Sequence, residues 1–235
     1  MGISVVLLAY REAGNLKLLL PQIQRNLDQT GTDYEILVID SKEILDETPL
    51  VCEAFGVRRI PQEEDHYGGA FRTGIKYASK ERTLVLDCDG SHSPDAIGGI
   101  YDKSLEGADL VIGSRYCRGG HTEDAPVSIV MSKILNTVMR AVIGVRARDI
   151  STSFRMYRTQ QLKAVALTCE NYDVLQEVVL RLKLNKKGFR ICEVPIDFKK
   201  RVYGESKRKL LKFIGAYVVT LFGLLAIRIK TRPAG

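Results

Sequence analysis

Short apolar runs alternate with segments of helical spacing through the first half of the chain. The runs are nearly continuous and rich in β-branched residues, which predicts buried strands at 3–10, 34–40, 57–60, 83–89 and 108–116. The segments between them predict helices at about 15–28, 70–79 and 94–105. A further helix is predicted after the second strand, ending at about residue 54. This alternation predicts an α/β fold with a mostly parallel central sheet and helices on both of its faces.

Acidic residues follow three of the predicted strands. Glu12 comes just after the first strand and Asp40 ends the second. Asp87 and Asp89 end the strand at 83–89, and Ser91 follows them. Ligands of parallel sheets bind at the carboxyl ends of the strands, so these acids predict a site. Ordinary turn chemistry is the alternative for Asp87 and Asp89, and a helix N-cap is the alternative for Asp40.

The residue types at this edge favour a metal with phosphate chemistry. Carboxylates and a hydroxyl form a hard oxygen set for Mg²⁺ or Mn²⁺, which takes its other ligands from water and substrate phosphates. Neither GxGxxG, a P-loop nor GxSxG occurs, and the glycine-rich stretch at 67–74 lacks dinucleotide spacing. Arg115 and Arg155 are candidate phosphate clamps, since a guanidinium matches two phosphate oxygens. A structural ion pair is the alternative for Arg155.

The positive charge of the chain lies in its last segment. Of the 35 Lys and Arg residues, ten lie beyond residue 198, with one acid among them, so residues 1–198 hold 25 basic and 27 acidic side chains. Arg201 and Lys207 belong to this basic segment, and a solvated loop is the alternative to a phosphate role for both. No zinc-finger or RNA-recognition signature accompanies the charge, so we expect no nucleic-acid partner.

An apolar run at 213–227 is flanked by these basic residues. Such a segment is typical of a helix on an anionic membrane surface. At about 15 residues it is shorter than the roughly 20 needed to span a bilayer. A helix packed on a partner, an ordinary buried helix and the truncated start of a membrane region stay open.

Length, composition and cysteine content indicate how many domains the chain has and which compartment it suits. With 235 residues and 45% hydrophobic residues, the chain fits one large domain with a short appendage. Its five cysteines are widely spread without CxxC, which indicates a reducing compartment. The first residues lack a basic region before the apolar run, so we expect a strand there and no signal peptide.

Five sequence blocks, in order, resemble those of a known enzyme family. They are AYREAGNL (9–16), DCDGSH (87–92), GADLVIGSRY (107–116), STSFRMYR (151–158) and EVPIDFKKRVYGESK (193–207). Together they resemble the dolichyl/polyprenyl-phosphate sugar transferases, inverting GT-A glycosyltransferases related to dolichyl-phosphate mannosyltransferase. The chain departs from the usual pattern at Leu8, Arg11, Ser41 and Ser128.

The resemblance implies a division of the chain and an activity. Residues 1–208 would form a GT-A catalytic domain, and 209–235 a basic, apolar C-terminal helix near a membrane. The activity would be transfer of a hexose, mannose or glucose, from a nucleotide-diphospho-sugar to a dolichyl or polyprenyl phosphate, with Mg²⁺ or Mn²⁺. We expect a peripheral location on the cytoplasmic face of an anionic membrane, with a membrane subunit or a second copy as a possible partner.

The resemblance and the residue chemistry together assign candidate roles. The candidate catalytic residues are Asp89, Arg115 and Arg201, and the candidate metal ligands are Asp87, Asp89 and Ser91. The candidate nucleotide-binding residues are Ala9, Tyr10, Glu12, Asp40 and Asp87. The candidate residues for the acceptor phosphate are Arg115, Ser132, Arg155, Arg201 and Lys207. A hydroxyl acceptor, which needs a general base, is the alternative enzyme activity. A non-catalytic nucleotide-sugar-binding module is the alternative outside enzymes.

Overall fold

A seven-stranded sheet forms the centre of the computed structural model, which describes residues 2–200 and 210–230. Its order is β3-β2-β1-β4-β7-β5-β8, and β7 alone among these strands is antiparallel to its neighbours. The strands are β1 Gly2–Leu8, β2 Asp33–Asp40, β3 Arg58–Pro61, β4 Arg82–Asp87, β5 Leu110–Ser114, β7 Arg155–Arg158 and β8 Ile191–Pro195. A separate ribbon pairs β6 His121–Thr122 with β9 Asp197–Phe198. The predicted mostly parallel sheet is therefore confirmed.

Eight helices are described, and they cover both faces of the sheet. They are α1 Ala13–Gln29, α2 Thr48–Ala54, α3 His66–Tyr77, α4 Ile97–Leu105, α5 Pro126–Ile143, α6 Thr159–Lys163, α7 Val174–Asn185 and α8 Leu210–Lys230. A 3₁₀ turn at Pro94–Ala96 leads into α4. Proline stands in the first turn of α2 and of α5, where its missing N–H leaves no helix bond unmade.

Alternation of side chains along the strands divides the core into two layers. In β1, Val5 and Leu7 pack with α1, α2 and α4, whereas Val6 packs with α3 and α5–α8 on the opposite face. Successive side chains of a strand point to opposite faces, so a strand buried on both faces is apolar throughout. This is why β1 and β4 contain continuous apolar runs.

The strands end earlier than the apolar runs do. The run at 83–89 predicts a strand through Asp89, but β4 ends at Asp87; the run at 108–116 predicts a strand through Tyr116, but β5 ends at Ser114. Asp89 and Arg115 therefore lie on loops beyond the strand ends. Because β4 and β5 are both antiparallel to β7, their carboxyl ends lie at the same edge of the sheet.

The C-terminal helix α8 packs against α5 and α7. Leu224 is buried in this contact, and Arg228 donates a hydrogen bond to the carbonyl of Val142 near the end of α5. By length and composition, α5 is apolar enough to cross a membrane, with mean hydropathy 1.3 and 17% of its residues buried. A single helix of this kind is weak evidence for a membrane span.

Candidate active site

A cavity of about 460 Å³ opens at the carboxyl edge of the sheet, beside β1 and β4. Four segments line it: the end of β1 with the following loop, the approach to α3 with its first turn, the end of β4, and the loop between α6 and α7. The lining residues are Leu8, Ala9, Tyr10, Glu12, Gln62, His66, Tyr67, Ala70, Asp87, Cys88, Asp89, Asn171 and Tyr172. The predicted acids Glu12, Asp87 and Asp89 thus share one cavity.

The end of β4 brings the carboxylates of Asp87 and Asp89 to the cavity. Asp89 is nearly buried, and its Oδ1 accepts hydrogen bonds from the backbone N–H and the hydroxyl of Ser91, at 3.0 and 2.5 Å. Ser91 is itself buried, and its hydroxyl holds the Asp89 carboxylate, so direct contact of Ser91 with a metal stays a prediction. A short side chain two residues after an aspartate can reach back in this way.

An aromatic wall made by Tyr67 and Tyr172 closes one side of the cavity. The two rings stack with centroids 4.2 Å apart, and the Tyr67 hydroxyl lies 3.2 Å from Oδ1 of Asp87. Burial, followed by the charge of Asp87, raises the pKa of Tyr67, which keeps its hydroxyl protonated as a donor. Neither tyrosine is among the site residues predicted from the sequence. The glycine-rich stretch beginning at Tyr67 is the signal that marks this part of the site.

Residues after β1 form the opposite wall. Tyr10 is 61% exposed, and Glu12 lies just before α1, where its carboxylate accepts a hydrogen bond from Asn15 at 2.5 Å. Arg11 between them has φ of 59°, a left-handed conformation that a non-glycine residue adopts at some cost. The loop therefore turns sharply, with Ala9, Tyr10 and Glu12 all lining the cavity.

Asp40 lies behind the cavity in an ion pair. Its side chain is almost fully buried, its Oδ2 lies 2.8 Å from Nε of Arg59, and its Oδ1 accepts the N–H of Ser41. The alternative of a helix N-cap is wrong, because α2 begins at Thr48. Asp40 is absent from the cavity lining, so direct contact with a nucleotide stays a prediction.

At the end of β5, Arg115 is held in a buried ion pair with Asp149. Its Nε and one terminal nitrogen lie 2.7 and 2.9 Å from the two carboxylate oxygens, and Asp149 is fully buried. Burial opposes the charge of each group, but the hydrogen bonds and mutual attraction outweigh it: they raise the pKa of Arg115 and lower that of Asp149. Arg115 is therefore paired with a carboxylate in this structure, and its contact with a phosphate stays a prediction.

Hydrogen bonds link this ion pair to Ser132 on α5. Arg115 donates to Ser151, and Asn136 donates to both Ser151 and Ser132, at 3.2 and 3.4 Å. Ser132 is thus brought close to Arg115, as the predicted acceptor role requires.

On the other side of the ion pair, the Phe198 ring lies against both Arg115 and His92. His92 is buried and shares a hydrogen bond with Thr152, and burial lowers its pKa.

The phosphate role of Arg155 is wrong. Its side chain is fully buried on β7, and its guanidinium donates to the carbonyls of Ile150 and Leu175, both at 2.6 Å. The alternative of an ion pair is also wrong, since its described partners are neutral carbonyls and the hydroxyl of Tyr157. Arg155 ties β7 to α7 inside the protein.

Arg201 and Lys207 lie outside the described residues. The chain that leads to them is fixed near the carboxylates, because the N–H of Lys199 donates to the carbonyl of Ser91 at 2.9 Å. The boundary predicted at 208/209 also lies outside the described residues.

Within residues 2–200 and 210–230, no three His, Cys, Asp or Glu side chains group closely enough to hold a metal ion. Asp87 and Asp89 are a two-carboxylate set. Such a set suits Mg²⁺ or Mn²⁺ when phosphate oxygens and waters complete the coordination.

Comparisons with known proteins agree with this arrangement. The family model described as Glycosyl transferase family 2 matches residues 4–165 of this chain. The polyprenol monophosphomannose synthase of Mycolicibacterium smegmatis is 30% identical over 214 residues, which are 86% of this chain and 79% of that protein. The dolichol-phosphate mannosyltransferase of Pyrococcus furiosus is 30% identical over 217 residues, which are 89% of this chain and 60% of that enzyme.

Solved structures share the fold at lower sequence identity. Glucosyl-3-phosphoglycerate synthase from Mycobacterium tuberculosis, in complex with Mn²⁺, UDP-glucose and phosphoglyceric acid, aligns with TM-score 0.73 and 19% identity, over 100% of this chain and 82% of that one. The same enzyme with Mg²⁺ and UDP aligns with TM-score 0.72 and 19% identity, over 100% of this chain and 81% of that one. At this identity the likeness shows the fold.

The fold, the acidic residues that line the cavity at the strand ends, and the relatives all indicate the same family. The resemblance read from the five sequence blocks is confirmed, and the sheet has the GT-A architecture. The chain is a glycosyltransferase that belongs to glycosyl transferase family 2.

Proposed function

We propose that the protein transfers a hexose, mannose first and glucose second, from a nucleotide-diphospho-sugar to a polyprenyl or dolichyl phosphate. The observation that carries the proposal is the pair Asp87 and Asp89 at the end of β4, open to a cavity large enough for part of a nucleotide sugar. The names of the two relatives support a polyprenyl phosphate acceptor and mannose. The Mn²⁺ and UDP-glucose complexes of the structural neighbour support a metal and keep glucose open.

Asp87 and Asp89 would hold Mg²⁺ or Mn²⁺, with Ser91 positioning Asp89. When bound, the ion supplies positive charge that stabilises the diphosphate leaving group. Ala9, Tyr10 and Glu12 line the wall next to these carboxylates and are the proposed nucleotide contacts. The carboxylate of Glu12 suits ribose hydroxyls, since it accepts hydrogen bonds and repels phosphates. Asp40 acts from behind this wall through its pair with Arg59.

A phosphate acceptor fits the acceptor side of the site better than a hydroxyl does. A lipid monophosphate is largely ionised at neutral pH, with a second pKa of about 6 by analogy with phosphoserine, so it needs no general base. One of its oxygens forms the bond to the anomeric carbon as the bond from that carbon to the diphosphate breaks. The electron pair leaves with the nucleoside diphosphate. A single displacement of this kind inverts the anomeric centre.

Arg115 and Ser132 are the described candidates for the acceptor phosphate, and Arg201 and Lys207 are the proposed cations of the undescribed segment. Because the charge of Arg115 is paired with Asp149, we assign the remaining positive charge for the acceptor phosphate to Arg201 and Lys207.

The test is a screen of donors against acceptors. GDP-mannose, UDP-glucose and related donors are each combined with a polyprenyl phosphate or with 3-phosphoglycerate, in Mn²⁺, Mg²⁺ or EDTA. We expect a β-linked lipid product from an α-linked donor, assigned by NMR, and no product in EDTA. Transfer to 3-phosphoglycerate alone would establish the hydroxyl acceptor instead. Tight donor binding without any transfer would establish a binding module.

We further propose that the protein works at the cytoplasmic face of an anionic membrane. Two helices that pack together present apolar side chains to solvent. The exposed residues are Val127, Val130, Ile134 and Val138 on α5, and Val219, Phe222 and Ile229 on α8. Each set follows helical spacing, so each forms a stripe on one face of its helix. The basic flanks of α8 add attraction to anionic lipids of about 1 kcal/mol per cation.

Vesicle binding tests this location. Deletion of 210–235 should weaken binding to anionic vesicles, but it also uncovers the core around Leu224, so Phe222→Glu is the sharper variant. Phe222 is 66% exposed, and removing its burial in lipid should weaken vesicle binding about tenfold or more. Leu50→Glu, at a similarly exposed leucine on α2, is the control. High salt should weaken binding of the intact protein.

Equal vesicle binding by the intact protein and Phe222→Glu would contradict the membrane role of α8. A second copy of the chain or a membrane subunit is the other occupant that these stripes fit. A dimer in lipid-free sedimentation that Phe222→Glu dissociates would indicate the second copy.

A further inference from the structure

Tyr67 contacts one of the two carboxylates proposed to hold the metal. Its hydroxyl lies 3.2 Å from Oδ1 of Asp87, and its ring forms part of the cavity wall in the first turn of α3. A hydroxyl that donates to one carboxylate oxygen fixes the rotation of the carboxyl group and leaves the other oxygen for a cation. Groups of this kind tune the affinity of metal sites without touching the metal.

Tyr67 is itself held from the far side by the loop that joins α6 to α7. Tyr172 on this loop stacks on the Tyr67 ring, with 4.2 Å between centroids and 29° between planes. The loop lies directly on the start of α3, where the N–H of Gly68 donates to the carbonyl of Glu170 at 2.6 Å. A Cβ on Gly68 would lie 2.1 Å from the carbonyl oxygen of Cys169, so only glycine permits this approach.

Helix α7 also holds the loop through hydrogen bonds to one of its side chains. The buried carboxylate of Glu177 accepts the backbone N–H groups of Thr168 and Cys169, at 2.9 and 2.8 Å, and the hydroxyl of Thr168. From α3, Arg72 donates a hydrogen bond to the carbonyl of Cys169 at 2.7 Å. Contacts from two helices therefore fix the backbone that presents Tyr172.

We propose that Tyr67 is a positioning residue for Asp87, and that the 168–173 loop keeps it in place through Tyr172. The inference rests on the metal site proposed above. It assigns a role in metal binding to a loop that lies after residues 4–165, the segment that matches the family model. It also explains why two tyrosines, of which Tyr172 is 45% exposed, stack at the mouth of a polar cavity.

The test measures binding of Mn²⁺, alone and with GDP or UDP, by electron paramagnetic resonance on the full chain. Tyr67→Phe keeps the ring and removes the hydroxyl, and we expect it to weaken Mn²⁺ binding about tenfold. Nucleotide binding in EDTA should not change. Tyr77→Phe is the matched control: it removes a hydroxyl at the other end of α3, where the partner is Glu63. Tyr172→Ala should weaken Mn²⁺ binding in the same direction by a smaller factor.

An Asp89→Asn arm separates the two proposals. If Asp89→Asn binds Mn²⁺ as the wild type does, the metal site itself is misplaced. If Asp89→Asn loses Mn²⁺ while Tyr67→Phe binds it with wild-type affinity, the metal site stands and the positioning role of Tyr67 is overturned. Equal weakening by Tyr67→Phe and Tyr77→Phe would also overturn it, because the effect would then belong to α3 as a whole.

Discussion

The ends of β4 and β5 lie at the same edge of the sheet, but they carry charge in opposite ways. At the end of β4, Asp87 and Asp89 line the cavity, where Asp87 accepts a hydrogen bond from Tyr67 and Asp89 accepts two from Ser91. At the end of β5, Arg115 is paired with the buried Asp149, and the two charges cancel. A charge pair closed off inside the protein holds the fold together, whereas carboxylates that line a cavity are within reach of a ligand.

The sharpest test of this contrast is Asp89→Asn. The change keeps the shape of the side chain and removes the charge, so we expect transfer to fall by about 10³-fold or to vanish, since electrostatic stabilisation of the leaving group is lost. Thermal unfolding should change little, because the Asn Oδ1 can still accept the two hydrogen bonds from Ser91. Asp95→Asn, at an exposed position six residues later, is the control in a labelled-donor assay. Transfer that survives both Asp89→Asn and EDTA would rule out the metal assignment.

Asp149→Asn should have the opposite profile. It leaves the Arg115 guanidinium, which is 10% exposed, with the carboxylate of Asp124 at 3.6 Å as its described anionic partner. Breaking a buried pair destabilises a protein by about 3 to 5 kcal/mol, and we expect the lower end of this range because Asp124 stays in place. Urea unfolding at neutral pH measures the change. A variant that is as stable as the wild type would show that the pair contributes little to the fold.

The double variant Arg115→Met with Asp149→Asn asks whether Arg115 also acts on the acceptor. Removing both charges should recover about half or more of the stability lost in Asp149→Asn, because no uncompensated charge stays buried. If Arg115 contributes to the acceptor site, the KM for polyprenyl phosphate rises while the KM for the donor stays constant. Wild-type kinetics for both substrates would give Arg115 a purely structural role.

A pH series on Glu177→Gln extends the comparison to a fourth carboxylate, with the smallest expected effect. Burial would raise the pKa of Glu177, but hydrogen bonds from Cys169 and Thr168 and the Arg181 guanidinium lower it below its ordinary value of 4.5. The carboxylate therefore stabilises the fold fully above pH 4.5, and this contribution is lost as the pH falls towards the lowered pKa.

The expected result is a difference in Tm between wild type and Glu177→Gln that is largest near neutral pH and shrinks below pH 4.5. Glu106→Gln, at an exposed glutamate paired with Lys103, should show a small difference at every pH. A difference between wild type and Glu177→Gln that grows in acid would contradict the assignment of a lowered pKa.

Much of the architecture could be predicted because local periodicity and burial agree. The strands from β1 to β5 and the helices between them follow from apolar runs and amphipathic spacing, with ends displaced by a few residues. β7 was not predicted as a strand: its sequence RMYR is half basic, and it qualifies as a central strand only because Arg155 finds carbonyl partners inside the protein. The Leu175 carbonyl lies 20 residues further along the chain, so no local pattern shows it.

The sequence by itself determined the α/β class, the family and the acids at the strand ends, because motif order and side-chain chemistry are written along the chain. Which charges stay open to a ligand was decided only by the tertiary structure. Asp149 lies 34 residues after Arg115 and Arg59 lies 19 after Asp40, so their pairing depends on how distant segments fold back. The same holds for Tyr172, which reaches Tyr67 from a loop more than a hundred residues away and forms the wall of the cavity.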